Sequence, residues 1–323
     1  MNGKCKIVVM ERNTLGDDVS LDALKKFGEV VTYPLSDPKE NAVRIQDADI
    51  VIVNKIPMNE ETLGNAKKVK LISLTATGTN NVDFAYTNAR GITVANVKGY
   101  STDSVVQHTF ALLFYVYEKL SYYDRFVKSG AYAVNDVFSH FTVPFRELAG
   151  KTWGIIGLGA IGTKVGEIAE SFGCRVIYYS TSGNHHTDRF PERSLAELLA
   201  ESDIVSIHCP LTAATGKLIG EQQLRMMKRD AILLNLGRGP IVDEDALAKA
   251  LIDGEIGGAG LDVLVKEPMD PGNPLLAIQD STKLVITPHI AWATVEARTR
   301  CVDETVENVR AFLEGRERNV VRG

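Results

Sequence analysis

Three side chains with chemistry of their own stand where packing alone does not ask for them: Arg238 in Asn235-Leu-Gly-Arg-Gly, Glu267 in Leu261-Asp-Val-Leu-Val-Lys-Glu-Pro268, and His289 in Thr287-Pro-His-Ile-Ala-Trp292. Arginine offers a two-pronged fork to a carboxylate. Histidine exchanges protons near neutral pH, and a glutamate beside it favours the charged imidazolium. Together they read as an acid–base pair with an anion clamp. Taken singly, each has a plainer account: a surface ion-pair partner, a solvated loop acid, a satisfied buried histidine. What joins them is position. Each lies at or beyond the carboxyl end of an apolar, strand-like run, the edge of an open parallel sheet where ligands bind.

Midway along the chain, Thr152-Trp-Gly-Ile-Ile-Gly-Leu-Gly-Ala-Ile-Gly162 joins a short apolar strand, a Gly-x-Gly-x-x-Gly turn and a helix start. The spacing fits a phosphate cradle for a dinucleotide. Gly157 permits the tight turn, Gly159 lets the backbone approach a pyrophosphate, and Gly162 lets the helix pack on the strand. The opening residues Ala160 and Ile161 then present unpaired N–H groups and a positive dipole to the anion. Context strengthens a motif that is weak alone, because a helical stretch from Ala160 to Phe172 and a second strand, Arg175 to Tyr179, follow at the expected separation.

The elements that must position these groups alternate. Strand-like runs at Ile7–Met10, Val30–Tyr33, Ile50–Val53, Leu71–Leu74 and Ile92–Ala95 are separated by helical patterns, as are later runs at Ile204–Ile207, Ala231–Leu236, Gly258–Val263 and Leu284–Thr287. This is the signature of parallel α/β architecture. Ser101–Ser129 contains one glycine-free and proline-free stretch with apolar residues on much of its circumference, which predicts one long helix linking two domains. Ser194-Leu-Ala-Glu197 is a capping box. The last helix, about Thr294–Leu313, carries Val302, Val306, Val309 and Leu313 on one face, so it is expected to return to the N-terminal domain. The expected fold is α/β with two doubly wound parallel-sheet domains and a cleft between them: residues 1–99 with 293–323 for substrate, and 100–292 for the dinucleotide. The aromatic segment Tyr132–Phe145 has no clear period and reads as an ordered arm that grips a second subunit.

With 323 residues, 45% of them hydrophobic and 24% charged, the chain can bury two ordinary cores. A net charge of -5 without any basic block argues against nucleic acid. The four cysteines, Cys5, Cys174, Cys209 and Cys301, are scattered without metal spacing, so no metal is expected and a reducing compartment fits. The apolar start, Lys6–Met10, is too short for a signal peptide or membrane span, which points to a cytoplasmic protein without membrane attachment.

In its ordered motifs the sequence resembles the D-2-hydroxyacid dehydrogenase family. The resemblance runs over nearly the whole chain, through Ala76-Thr-Gly-Thr-Asn-Asn-Val-Asp83, Gly99-Tyr-Ser-Thr-Asp-Ser-Val-Val-Gln-His108, the glycine fingerprint, His208-Cys-Pro-Leu-Thr212, Arg238-Gly-Pro-Ile-Val-Asp-Glu244, Gly260-Leu-Asp-Val263, Glu267-Pro268 and Pro288-His-Ile290. It implies a flavodoxin-like substrate domain beside a Rossmann domain. It implies that Arg238 orients the substrate's carboxylate and carbonyl, that His289 protonates the carbonyl oxygen, and that Glu267 orients and charges His289. Backbone around Thr77 and Gly78, with Asn54, would meet the substrate. The cofactor would lie against Gly157, Leu158, Gly159, Ala160, Ile161 and Gly162, then Ser180 and Thr181, then His208, Cys209, Pro210 and Thr215. Near its nicotinamide would come Leu236, Gly237, Asp262, His289 and Ala291. A homodimer is implied as well. The Gly99–Thr109 stretch resembles glycerate dehydrogenases most, which implies interconversion of hydroxypyruvate and D-glycerate; D-lactate or another 2-hydroxy acid is the alternative.

Two departures matter. Ser180 stands where an aspartate usually takes the adenosine ribose hydroxyls, so both NAD and NADP remain open as cofactors; His185 and His186 adjoin that loop. Leu236 and Gly237 replace a commoner threonine and alanine before the arginine. A different class of function, a dinucleotide-sensing co-repressor, is also compatible with the fingerprint, but the presence of Arg238, Glu267 and His289 favours catalysis.

Overall fold

The computed structural model describes residues 5–184 and 186–323. The chain divides into two compact units, one made of residues up to Ser101 together with Ala293–Gly323, the other of Thr102–Trp292.

The first unit is built on five parallel strands: β1 (Cys5–Val9), β2 (Gly28–Thr32), β3 (Ile50–Val53), β4 (Leu71–Leu74) and β5 (Thr93–Ala95), ordered β2-β1-β3-β4-β5. Its central strands β3 and β4 are buried along their whole length, β3 as an unbroken β-branched run and β4 as leucine and isoleucine around the buried Ser73, as strands covered on both faces are. The C-terminal helix Val295–Leu313 covers one face, burying Val302, Val306 and Val309 against residues of β1, β3 and β4. Leu313, expected on that face, is 37% exposed, and Phe312 packs in its place at the helix end. Asp37 closes a turn ahead of the short helix Asn41–Arg44: its carbonyl accepts the Asn41 N–H at 2.8 Å.

The second unit is a six-stranded parallel sheet: β6 (Thr152–Ile156), β7 (Arg175–Tyr179), β8 (Ile204–Ile207), β9 (Ile232–Asn235), β10 (Gly258–Leu261) and β11 (Leu284–Ile286). The order β11-β10-β9-β8-β6-β7 reverses direction between β6 and β8. At such a switch point the loops leaving the two strands part and open a crevice at the carboxyl edge. The two sheets make this a pair of parallel-sheet α/β domains.

The helix Thr102–Tyr117 lies on this second sheet, and its burial on several sides follows from its sequence: Val105, Val106, Phe110, Leu112, Leu113 and Val116 are all buried. β10 admits it because two of its four residues are glycine. A Cβ on Gly258 would come within 2.7 Å of Val116, and one on Gly260 within 3.0 Å of Leu112. The predicted single helix over 101–129 breaks, however. Lys119 takes a left-handed conformation, φ 57°, while its Nζ donates to the Thr282 carbonyl at 3.0 Å. A second helix, Leu120–Lys128, follows with no buried residue and packs its aromatic side on the arm: His140 stacks on Phe126 at 3.7 Å and the Tyr123 hydroxyl donates to the Val143 carbonyl at 2.6 Å. No helix of the described residues is long and apolar enough to cross a membrane.

Candidate active site

The glycine turn ends β6. Gly157 has φ 95°, and a Cβ there would lie 2.6 Å from the Cys209 nitrogen on the loop after β8, so only glycine lets the two loops approach. Gly162 is equally constrained, since its Cβ would meet the Gly157 carbonyl at 2.3 Å. Gly159 differs. It precedes the helix Ala160–Ser171 with φ -83° and ψ -165°, and its Cβ would touch no protein atom within 4 Å. Nothing in the chain requires glycine there. The open cradle before the unpaired N–H groups of Ala160 and Ile161 has the form of an anion site.

Beside the switch point, two buried polar groups lack partners among the described residues: the Ser180 hydroxyl and both ring nitrogens of His208. Burial pushes the His208 pKa down to about 3, so the ring is neutral at any working pH. Cys209 is buried too; its thiol is pushed up to about 11 by burial, against a hydrogen bond with Thr181, so it stays protonated and unreactive. The Thr215 hydroxyl is committed to its own turn, donating to the Pro210 carbonyl at 2.8 Å and accepting the Thr212 N–H at 2.7 Å. Gly237 packs against the Cys209 carbonyl, Leu236 and Ala291 are buried, and Leu158 is buried beneath the turn. Buried orphan groups and an open cradle at one carboxyl edge fit a bound dinucleotide. His186 pairs with Glu192 at 2.9 Å; His185 lies outside the described residues. Among the described residues no group of three or more His, Cys, Asp or Glu is placed to hold a metal.

The structure joins two of the three reactive side chains directly. Nδ1 of His289 lies 2.7 Å from Oε2 of Glu267, whose Oε1 accepts the Leu264 N–H at 2.9 Å. With Nδ1 engaged, Nε2 is the nitrogen left for a ligand. Arg238 is half-buried and forms no ion pair among the described residues; its Nη1 donates to the Gly237 carbonyl at 2.8 Å. Its neighbour Gly239 lies flat on the Glu267 loop, for a Cβ there would be 1.9 Å from the Leu264 carbonyl carbon. Arg238 is thus tied by main-chain packing to the segment that Glu267 itself grips.

Asp262, expected near a nicotinamide amide, is 2% exposed, and its carboxylate accepts from the Ile290 N–H, the Ala291 N–H and the Thr287 hydroxyl at 2.9, 2.9 and 2.6 Å. In the first unit, Asn54 follows β3. Its N–H and those of Lys55 and Ile56 converge on the Glu11 carboxylate at 2.7, 2.9 and 3.4 Å. Thr77, after β4, is tied by its hydroxyl to the Val97 carbonyl and by its own carbonyl to Asn96; Gly78 is half-buried beside it. The roles of Glu11 and Thr287 were not among the expectations from the sequence. Glu11 was visible only as an acid ending an apolar run, yet an acid directly after a buried strand is a signal that could have been followed.

Residues 110–291 match the family described as D-isomer specific 2-hydroxyacid dehydrogenase, NAD binding domain. The chain is similar to the glycerate dehydrogenase of Methylorubrum extorquens, with 40% identity over 320 residues and 98% of each chain covered. Among solved structures it is similar to D-lactate dehydrogenase from Aquifex aeolicus complexed with NAD and lactic acid, at TM-score 0.85 and 30% identity, covering 98% of this chain and 99% of that one. It is also similar to the NADPH-dependent glyoxylate/hydroxypyruvate reductase of Sinorhizobium meliloti in complex with NADP and malonate, at TM-score 0.84 and 26% identity, covering 99% and 97%. The paired imidazole and carboxylate beside a dinucleotide cradle, on a chain this similar throughout its length, make it a member of the D-isomer specific 2-hydroxyacid dehydrogenase family, an NAD(P)-dependent oxidoreductase.

Proposed function

We propose that the chain reduces hydroxypyruvate to D-glycerate, and oxidises it in reverse, with Arg238, Glu267 and His289 as the catalytic residues. The nicotinamide, when bound, supplies the hydride that reaches the carbonyl carbon. Nε2 of His289 gives the carbonyl oxygen its proton, and Glu267 holds Nδ1 so that the ring is oriented with Nε2 free for the substrate. Arg238 takes the substrate's carboxylate through its fork and polarises the carbonyl. Asn54, Thr77 and Gly78 are proposed as further substrate contacts, on the strength of their place after β3 and β4. The glycine turn, Ser180, Thr181, His208, Cys209, Pro210, Thr215, Leu236, Gly237, Asp262 and Ala291 are proposed to line the cofactor. The single observation that carries the reading is the 2.7 Å bond from Glu267 to Nδ1 of His289, which leaves Nε2 to face a substrate.

The choice of hydroxypyruvate rests on the similarity to a glycerate dehydrogenase and to a glyoxylate/hydroxypyruvate reductase; the similarity to a D-lactate dehydrogenase favours pyruvate as the second reading. Loss of NADH and of NADPH absorbance with hydroxypyruvate, glyoxylate, pyruvate and 2-ketobutyrate tests all of these and ranks the two cofactors. Turnover fastest with pyruvate replaces the substrate. Turnover with none replaces catalysis by dinucleotide sensing.

A homodimer is proposed from the arm, where the large apolar side chains of Val134, Phe138 and Phe141 are 84%, 91% and 76% exposed, as side chains that pack on a partner are. Sedimentation decides it, and a monomer at micromolar concentration overturns it. A cytoplasmic location is proposed from the four free cysteines, three of them buried.

A further inference from the structure

We infer that Glu244 is a positioning residue for the Glu267–His289 pair, acting by closing both ends of the loop that carries Glu267. The inference rests on the reading of that pair as the proton donor. Glu244 opens the helix Glu244–Asp253, directly after its cap Asp243. One carboxylate oxygen accepts the Val265 N–H at 2.7 Å and the other accepts from the Asn273 amide, also at 2.7 Å. Val265 lies before Glu267 and Asn273 after it, so one side chain pins the loop on both sides. Asn273 is buried and cannot turn over, because its Oδ1 accepts the Leu275 N–H at 3.0 Å and caps the short helix Pro274–Ala277.

The same segment reaches the loop a second time where Gly239 lies on Leu264, the residue whose N–H Glu267 accepts. Residues 238–244 therefore carry the anion clamp at one end and the loop clamp at the other. A carboxylate on an unrestrained loop would leave His289 for part of the time, and catalytic groups lose rate steeply when misplaced by about 1 Å. Of the charged groups near Glu267, Lys266 is turned to Asp270 at 2.7 Å and Asp243 to Lys217 at 2.9 Å, whereas Glu244 forms no ion pair among the described residues. Its hold on the loop comes from N–H donors.

Exchange of donor and acceptor tests this. E244Q sets an amide NH2 against that of Asn273, and N273D sets one carboxylate against another. E244Q/N273D restores the bond with its polarity reversed, while the Val265 and Leu275 N–H groups keep their acceptors. Each single variant is expected to lower kcat for hydroxypyruvate about tenfold near pH 8 and to move the upper pH limit of reduction downward, with the NADH dissociation constant from fluorescence titration unchanged. The double variant is expected to recover both to within about twofold. Wild-type pH profiles in the single variants, or a double variant no better than either single one, would overturn the inference. Should E244Q not fold, N273D carries the same test from the other partner. E267Q measured alongside separates the levels: if it leaves the pH limit unmoved, the proton-donor reading fails; if it moves the limit and E244Q does not, only the positioning role fails.

Discussion

Asp262 sets the backbone of His289. Its carbonyl accepts the His289 N–H at 2.8 Å, while its carboxylate takes the next two N–H groups, those of Ile290 and Ala291. His289 has φ 55°, a left-handed conformation that costs a residue with a side chain about 1–2 kcal/mol. Three successive N–H groups held by one residue keep it there. The Thr287 hydroxyl donates to the same carboxylate at 2.6 Å, so its oxygen is left to accept from Nε2 of His108 at 2.9 Å. Burial lowers the pKa of His108, opposed by the Asp262 charge; with the Thr287 hydrogen committed to Asp262, the proton between Thr287 and His108 belongs to Nε2. A partly buried chain of hydrogen bonds thus runs from the helix Thr102–Tyr117 to the turn that presents the reactive imidazole.

D262N replaces one accepting oxygen by a donor and leaves a buried N–H or the Thr287 hydroxyl without an acceptor. Denaturant unfolding should show a loss of about 1–3 kcal/mol, and kcat should fall by about tenfold or more as His289 leaves its turn. An unchanged kcat would detach the turn from the chemistry.

E267Q removes the charge beside Nδ1 and keeps the size of the side chain. A neighbouring carboxylate holds a proton on an imidazole to higher pH, so its removal should shift the upper pH limit of keto-acid reduction downward, with NADH affinity unchanged. The pH dependence of kcat/KM in the reductive direction reads this directly, and coincident profiles for the two proteins would sink the proton-donor pair.

The three glycines of the turn should separate in their effects. G159A adds a methyl that meets no protein atom at an ordinary φ, so melting temperature should hold while NADH affinity drops by about tenfold or more. G162A drives a methyl into the Gly157 carbonyl and should destabilise the fold itself. Calorimetry with and without NADH distinguishes the two, and undiminished NADH binding by G159A would move the pyrophosphate elsewhere.

How far the sequence carried the reading depends on the range of the cause. The strands were legible because their β-branched runs are local, and so were the Ser194 capping box and the glycine turn, whose geometry lies within a few residues. Glu267 and His289 could be placed at strand ends by the same local signals. Glu244 and Asp262 could not be given their anchoring roles, because each acts by accepting N–H groups, main-chain ones among them, from segments more than a turn away, and a main-chain N–H leaves no trace in residue type. The break at Lys119 escaped for a related reason: an apolar stripe continues through it, and the residue that takes the left-handed conformation is neither glycine nor asparagine.

His208 makes a prediction about acid stability that does not depend on activity. Burial lowers its pKa from 6.5 to about 3. Above pH 6.5 the ring is neutral whether the chain is folded or not, so its contribution to stability is fully present. As pH falls below 6.5 the unfolded chain binds a proton that the folded one refuses, and stability declines until the folded ring titrates near 3. The slope approaches about 1.4 kcal/mol per pH unit. H208Q removes the titrating group, so the difference in unfolding free energy between H208Q and the wild type should change by about 1.5 kcal/mol between about pH 6.5 and pH 5, in favour of the variant at the lower pH. Urea unfolding of both proteins across that range measures it, and parallel pH dependences would mean that the imidazole nitrogens reach water or a partner.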